Sequence, residues 1–451
     1  MADIAKTAKV EKSASLAAFL FLAIFSYFWV GLNAFPDPNA ASLSTPYGGT
    51  SNVLNQLIVI AMSAVVLVTV LQNPARHLLL RPYGLLICLL VWLLFTGLFA
   101  GDPSAAFRRI VFATLVCLCA NAVLLIPRDG EQFAKLMCIG LTFTVGLSYF
   151  GVIAMPHLAI HQATDALEQS LAGDWRGHFG HKNVAAAAMV YAVFFGFYIA
   201  RARHARLGLM IALSAGFFVL HAGGKTSAAM LPAILLLAWI FERWIRLGIL
   251  MLVGGLAGLN VILLTAAISP SFSSLLASAG IDPTFTDRGS IWRLALSAIG
   301  ERPIIGYGFQ SFWQTDALFN SGQAMTTWAV TAANSHNGYV EQLINGGIPA
   351  LAMVVIWLVI LPIGYARQAL AGSNDIALTR LFLRIWLFSL FLACLESPFF
   401  GNSGPIWFTM LIAVFGLRLQ ANAGLVVNAP ASQGSVPVRG EMTVRRETGK
   451  E

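Results

Sequence analysis

Apolar runs of bilayer-spanning length follow one another along almost the whole of this chain, and nothing else in the sequence restricts its fold as much. They lie near residues 15–35, 53–71, 83–100, 108–126, 133–156, 183–200, 207–222, 226–241, 247–268, 347–365, 381–397 and 404–418. A helix needs about 20 apolar residues to cross a bilayer. Of the 451 residues 58% are hydrophobic and only 11% are charged, whereas soluble domains carry roughly a quarter charged residues. A soluble enzyme is excluded. The runs show no period-two alternation, so a barrel is excluded too, and helices must satisfy the backbone inside the membrane. The expected fold is an all-α polytopic membrane protein of about 12 transmembrane helices. The first run is longer than the core of a cleaved signal peptide and lacks a small-x-small site, so it reads as an uncleaved span. Cys88, Cys117, Cys119, Cys138 and Cys394 all fall within apolar runs, where a thiol acts as a small hydrophobe rather than a bridge or a metal ligand.

Twelve spans put both termini on one side. Placing them in the cytoplasm assigns 20 of the 28 Lys and Arg to inner segments, as the positive-inside bias requires. Lys6, Lys9 and Lys12, the loop residues Arg201, Arg203 and Arg206, and the loop cations Arg76 and Arg81 all contribute. This reading divides the chain into a cytoplasmic segment 1–14, spans one to nine over 15–268 with an outer segment at 157–182, a cap loop 269–346, spans ten to twelve over 347–418, and a polar tail 419–451. The tail holds Pro430 and several Gly and Ser and is expected to be disordered and cytoplasmic. The cap loop is too rich in Trp, Phe, Tyr and Ile for disorder and is expected to fold. Within it, residues 291–300 have helical apolar spacing and suggest a short helix on the bilayer surface. The net charge of +8 reports orientation or anionic partners. No interleaved basic and aromatic tract argues for nucleic acid.

Eight cations remain on the outer side: Arg108, Arg109, Arg176, Lys182, Lys225, Arg288, Arg293 and Arg302. Arg109 and Lys225 oppose the charge bias in short loops, and an anionic ligand on that face would explain them. Several Arg and Lys around a dry site can hold a pyrophosphate; equally, a lone Arg at a helix end can simply snorkel to lipid headgroups. In DWRGHFGHKN (174–183), His178 and His181 have H-x-x-H spacing without an evident third or fourth ligand, so a metal site is not expected. Asn183 could cap the next helix. His336, with Asn337 beside it, has the ring suited to a general base, or it could merely cap a helix start. Glu341 could orient that base or replace it. Glu396, near the outer end of the eleventh run, is either functional or the partner of an outer Arg.

With these residues in view, the chain resembles the superfamily of O-antigen ligases and Wzy-type exopolysaccharide polymerases. His336-Asn337, nine residues, then Gly347 is similar to that family's H-N-x9-G signature. Arg288-Gly-Ser-Ile-Trp292 and ERPIIGYGFQSFW (301–313) resemble its R-x-x-x-W and P-x-x-G-x-G segments. WRGHFGHKN resembles R-G-x-F-x-H-x-N, and GGKTS (223–227) is similar to its S-[RK]-[ST] turn, with Gly at the usual Ser. FGHKN, GKTS and PSAAFRR (103–109) look more like polymerases than ligases.

The resemblance implies a lipid-linked glycosyltransferase of the GT-C-like kind, with a large periplasmic loop between the ninth and tenth spans, in a bacterial inner membrane. It implies an undecaprenyl-pyrophosphate-linked oligosaccharide as donor and a glycan acceptor, either a lipid-linked repeat unit or the core sugar of lipid A, with membrane lipids, chain-length regulators and export proteins as associates. His336 and Arg288 are then the catalytic pair. Arg176, Lys225, Arg293 and Arg109 bind pyrophosphate, and Asn337, Glu341 and His181 support them. Transfer inverts the anomeric centre and uses no metal or other cofactor. The rival of another class is a flippase for the lipid-linked sugar, which would need charged or broken helices near the bilayer midplane; the charges here gather at helix ends instead.

Overall fold

The computed structural model describes residues 2–37, 39, 53–71, 84–165, 169–202, 204–285, 287–322, 327–372, 375–401 and 404–422. Arg76, Arg81, Arg203 and the tail from residue 423 lie outside the described residues. Among the described residues the chain is helical, with a single isolated β-bridge between Ile160 and Trp175. Every apolar run holds a helix. In order they are α1 (Ala2–Trp29), α2 (Val53–Leu71), α3 (Gly84–Gly97), α4 (Pro103–Val123), α5 (Gly130–Ala154), α6 (Lys182–Arg201), α7 (Ala205–His221), α8 (Lys225–Arg243) and α9 (Ile245–Ile268). After the cap helix α10 (Arg288–Glu301) come α11 (Gly338–Gly372), α12 (Ile376–Leu392) and α13 (Pro405–Asn422). Seven of these are long and apolar enough to cross a membrane, and α3, α7 and the Ser15–Trp29 part of α1 are shorter apolar helices.

Helix starts follow local chemistry. The Asp102 carboxylate accepts from Ala105 N with Pro103 at the first helical position, Asp129 accepts from Gln132 N, and Asp375 accepts from Leu378 N, each satisfying an amide with no helical partner. Burial then sorts the helices. Most of α6, α12 and α13 is enclosed, whereas α2 and α9 expose Leu57, Val65, Leu250, Val253 and Val261. A chain whose rim is as apolar as its centre has lipid for a solvent. The run of alanines in α6 and the pair Gly196 and Gly208 let α6 and α7 touch backbone to backbone. A Cβ on Gly208 would sit 2.3 Å from Ala200 N, the small-residue packing that brings membrane helices together.

The segment between α9 and α11 is folded, with a core of its own. Ile291, Leu294, Ala295 and Ala298 of α10 pack on Phe312, Trp313, Leu318 and Val330 and on Val340 and Ile344 of α11. The expectation that α10 lies on the bilayer is therefore corrected: its apolar face is covered by protein. The tenth span is expected from residue 347; α11 opens at Gly338 and leaves helical geometry at Gly346 and Gly347, at that expected start. The polar turn that opens α11 is buried by the cap.

Candidate active site

Two side chains one turn apart on α10 organise the site. Arg288 and Trp292 project from the same face, as the i, i+4 relation demands. Trp292, with no exposed surface, donates from Nε1 to the Ser335 carbonyl at 2.9 Å. Arg288 donates from Nη2 to Glu396 Oε1 at 2.7 Å. Its neighbour Arg293 points the other way and donates to the Ala267 carbonyl in the last turn of α9, at 3.0 Å. The R-x-x-x-W spacing thus sets one residue under the segment that carries His336 and the other against the carboxylate beside it.

That segment is held from every side. Ser335 N donates to Glu341 Oε2 at 2.8 Å, and Trp313 Nε1 donates to the same oxygen at 3.1 Å. Glu341 therefore fixes the backbone next to His336 rather than the ring. Asn337 caps α11: its Oδ1 accepts from Tyr339 N and Val340 N, while its Nδ2 donates to Asn260 Oδ1 at 2.8 Å and to the Cys394 carbonyl at 3.0 Å. Between these anchors His336 takes φ +49, a left-handed conformation that a residue with a Cβ adopts only when its surroundings impose it.

The ring meets Glu396. Nδ1 of His336 is 3.1 Å from Glu396 Oε2, and since a carboxylate only accepts, Nδ1 carries the hydrogen. In the neutral ring Nε2 then holds a lone pair, and it makes no hydrogen bond among the described residues. The His336 side chain is 32% exposed while those of Arg288 and Glu396 are 14% and 21% exposed, so the ring is the open member of the group. Asn183 Nδ2, near the start of α6, donates to Glu396 Oε1 at 3.1 Å. Burial works to raise the pKa of Glu396, but the hydrogen bond from His336 and the charge of Arg288 outweigh it and hold the carboxyl below its usual range. Glu396 stands in the turn beyond α12, whose Ala393 and Glu396 carbonyls both accept from Gly338 N.

A kink in α11 joins this cluster to the cap. Gly346 and Gly347 leave helical geometry, Gly347 at φ +68, and a Cβ on Gly347 would lie 2.1 Å from the Ile304 carbonyl oxygen. Tyr307 N donates to the Ile344 carbonyl and Ile348 N to that of Pro303. The G-x-G loop and the glycine nine residues past Asn337 are two sides of one tight crossing.

The other expected residues are placed differently. Arg109 donates to the Gln310 carbonyl, and Lys182 pairs with Asp174 at 2.5 Å. Arg302 stacks 4.8 Å over the Tyr307 ring. Arg176 is wholly buried, and Lys225 is exposed at the first residue of α8. His178 is structural: its Nε2 donates to the Trp29 carbonyl and its Nδ1 accepts from Ser148 Oγ, and burial lowers its pKa to about 4. His181, not Asn183, caps α6, its Nδ1 accepting from Asn183 N. The structure thus brings His336, Arg288 and Asn337 together, turns Arg109 and Arg293 to backbone carbonyls, and adds Asn183, Asn260 and Ser397, whose Oγ accepts from Asn337 N at 3.1 Å. Of the added groups only Asn183 had a sequence signal, its place just before a span.

Residues 188–355 match the O-antigen ligase family, a stretch that includes Lys225, Arg288, Trp292, His336, Asn337 and the Gly347 kink. Over that stretch, less than half of its length, the chain is similar to the O-antigen ligase family. Glu396 and Asn183 lie outside the matched stretch, so the carboxylate of the cluster reaches it from beyond that region. A curated relative is the exopolysaccharide production protein ExoQ of Rhizobium meliloti (strain 1021), 24% identical over 107 residues. That alignment takes in 22% of this chain and 24% of the relative.

Proposed function

We propose that the protein is an inverting glycosyltransferase that joins exopolysaccharide repeat units at the periplasmic face of a bacterial inner membrane, with both termini in the cytoplasm and an undecaprenyl-pyrophosphate-linked oligosaccharide as donor. The observation that carries this reading is the His336–Glu396–Arg288 cluster, in which an oriented imidazole presents Nε2 beside an arginine. His336 Nε2 takes the proton of the acceptor hydroxyl as the acceptor oxygen forms its bond to the anomeric carbon. The bond from that carbon to the pyrophosphate oxygen breaks, and its electron pair stays on the pyrophosphate. Glu396 holds the imidazolium that results. Arg288 keeps Nε and Nη1 for the departing phosphate, with Lys225 as a further cation. Charge on the leaving group is met by side chains, so the scheme asks for no metal.

A second reading, ligation of finished glycan to the core sugar of lipid A, is favoured by the family's description. A deletion strain separates the two: single repeat units accumulate if the protein polymerises, and complete chains remain unattached if it ligates. Purified protein in detergent, given lipid-linked oligosaccharide alone, should lengthen the glycan, which a flippase would not do. His336→Ala should reach normal membrane levels and make no product; normal polymer from it would remove His336 from the chemistry.

A further inference from the structure

The face of α10 turned away from Arg288 and Trp292 borders a cavity of about 680 Å³ that the reaction scheme does not use. Its far wall is the turn 99–101 at the end of α3, and its remaining sides come from the 307–322 part of the cap. The volume lies within the range of small-ligand sites, roughly 300–1,000 Å³. Its lining mixes two kinds of group. Phe99 stands 53% exposed at the edge, and Tyr307 and Phe312 pack with centroids 4.8 Å apart. Beside them Glu301 accepts from Tyr307 Oη through one carboxylate oxygen, at 2.9 Å, and Arg302 lies over the Tyr307 ring. Ser297, one turn before Glu301 on α10, is exposed in the same wall.

Alternating rings and hydroxyl-binding groups suit one ligand chemistry in particular. A sugar ring offers apolar C–H faces to aromatic side chains and equatorial hydroxyls to carboxylates and guanidinium groups. An acyl chain would strip water from Glu301, Arg302 and Ser297 and offer them no hydrogen bond in return, at a cost. A polyanion would be repelled by Glu301. We propose that this cavity binds an oligosaccharide stretch of the growing glycan, away from the sugar that reacts at His336. The two faces of α10 are separated by about the width of one helix, roughly 10 Å, a span a short oligosaccharide covers. Holding the chain there would keep it near the site between transfers and lengthen the polymer. The assignment rests on the glycosyl-transfer reading for the identity of its ligand.

The test uses the soluble oligosaccharide freed by mild acid from the host's own lipid-linked repeat unit, with binding to the full-length protein in detergent followed by ligand-observed NMR. Wild type and His336→Ala should bind it alike. Ser297→Trp, which fills the cavity from an exposed position, and Glu301→Gln should weaken binding at least tenfold. Both should still transfer a first unit but give shorter chains. The proposal is overturned if wild type does not bind the oligosaccharide, or if Ser297→Trp and Glu301→Gln bind it and elongate as wild type does. Wild type that binds the oligosaccharide yet never transfers a sugar would sink the transferase reading and leave the cavity assignment standing. Loss of binding in Ser297→Trp with single transfer intact would support both.

Discussion

At position 336 the backbone sits in a conformation that its own side chain disfavours, and the ring it presents is tethered by one nitrogen. The tether is the group to test. Glu396→Gln keeps the shape but can offer its amide to Nδ1 as a donor, which would force the hydrogen onto Nε2, the wrong nitrogen for a base. Turnover should fall by roughly 100- to 10,000-fold at unchanged membrane abundance; activity within twofold of wild type would show that the carboxylate does not orient the ring. Because the Glu396 pKa is depressed, its pairing stabilises the fold fully above the usual carboxylate value. That contribution disappears as pH falls through the lower folded value. The thermal midpoint of wild type should therefore drop in acid below about pH 4, and that of Glu396→Gln should drop less. A second change, Asn337→Ala, removes a cap and two tertiary hydrogen bonds at once, and should cost about 2–4 kcal/mol, read as a lowered melting temperature in detergent.

At the scale of elements, the crossing of α11 with the 303–308 loop depends on glycine. Gly347→Ala meets a carbonyl oxygen and a positive φ together, and should destabilise by about 1–3 kcal/mol, with a loss of activity from displacement of the α11 start. An unchanged melt would mean the loop is free to shift. The same element shows what hydropathy could and could not reveal. Among the described residues the seven helices of membrane length all fall on the twelve apolar runs, and the other five runs hold helices that fall short of that measure, because burial in lipid and in protein both demand apolar side chains. The first turns of α11 fall outside the apolar runs because Glu341, Gln342 and Asn345 are polar though buried, with Glu341 hydrogen-bonded to the cap, so only the capping role weighed for His336 hints at a helix start there. Likewise Arg288 and His336 were visible as residue types in familiar spacing. Glu396 reads as a candidate partner of an outer Arg, but which Arg it meets, and that it meets His336 as well, does not, since 108 and 60 residues separate it from them and only the fold brings it back.

For the whole molecule, α2 and α9 turn bulky apolar side chains outward, and the cap gathers at the same end of the bundle as the start of α6. If that end is periplasmic, a cysteine introduced at Ser290 should react with a membrane-impermeant maleimide in intact cells whose outer membrane has been permeabilised. One at Arg246, in the first turn of α9, should react only after the inner membrane is broken. The opposite pattern would reverse the orientation and with it the source of the donor. Cys117, Cys119, Cys138 and Cys394 are buried, so exposed Cys88 alone needs replacement beforehand.

The cap is fastened to the bundle where Arg293 meets the Ala267 carbonyl of α9, where Arg288 meets Glu396 beyond α12, and where the 303–308 loop crosses the glycines of α11. A cover riveted at three places does not swing like a lid. On the proposed reaction, a polyprenyl tail too long and greasy to pass through water would have to arrive sideways, sliding out of the leaflet between helices.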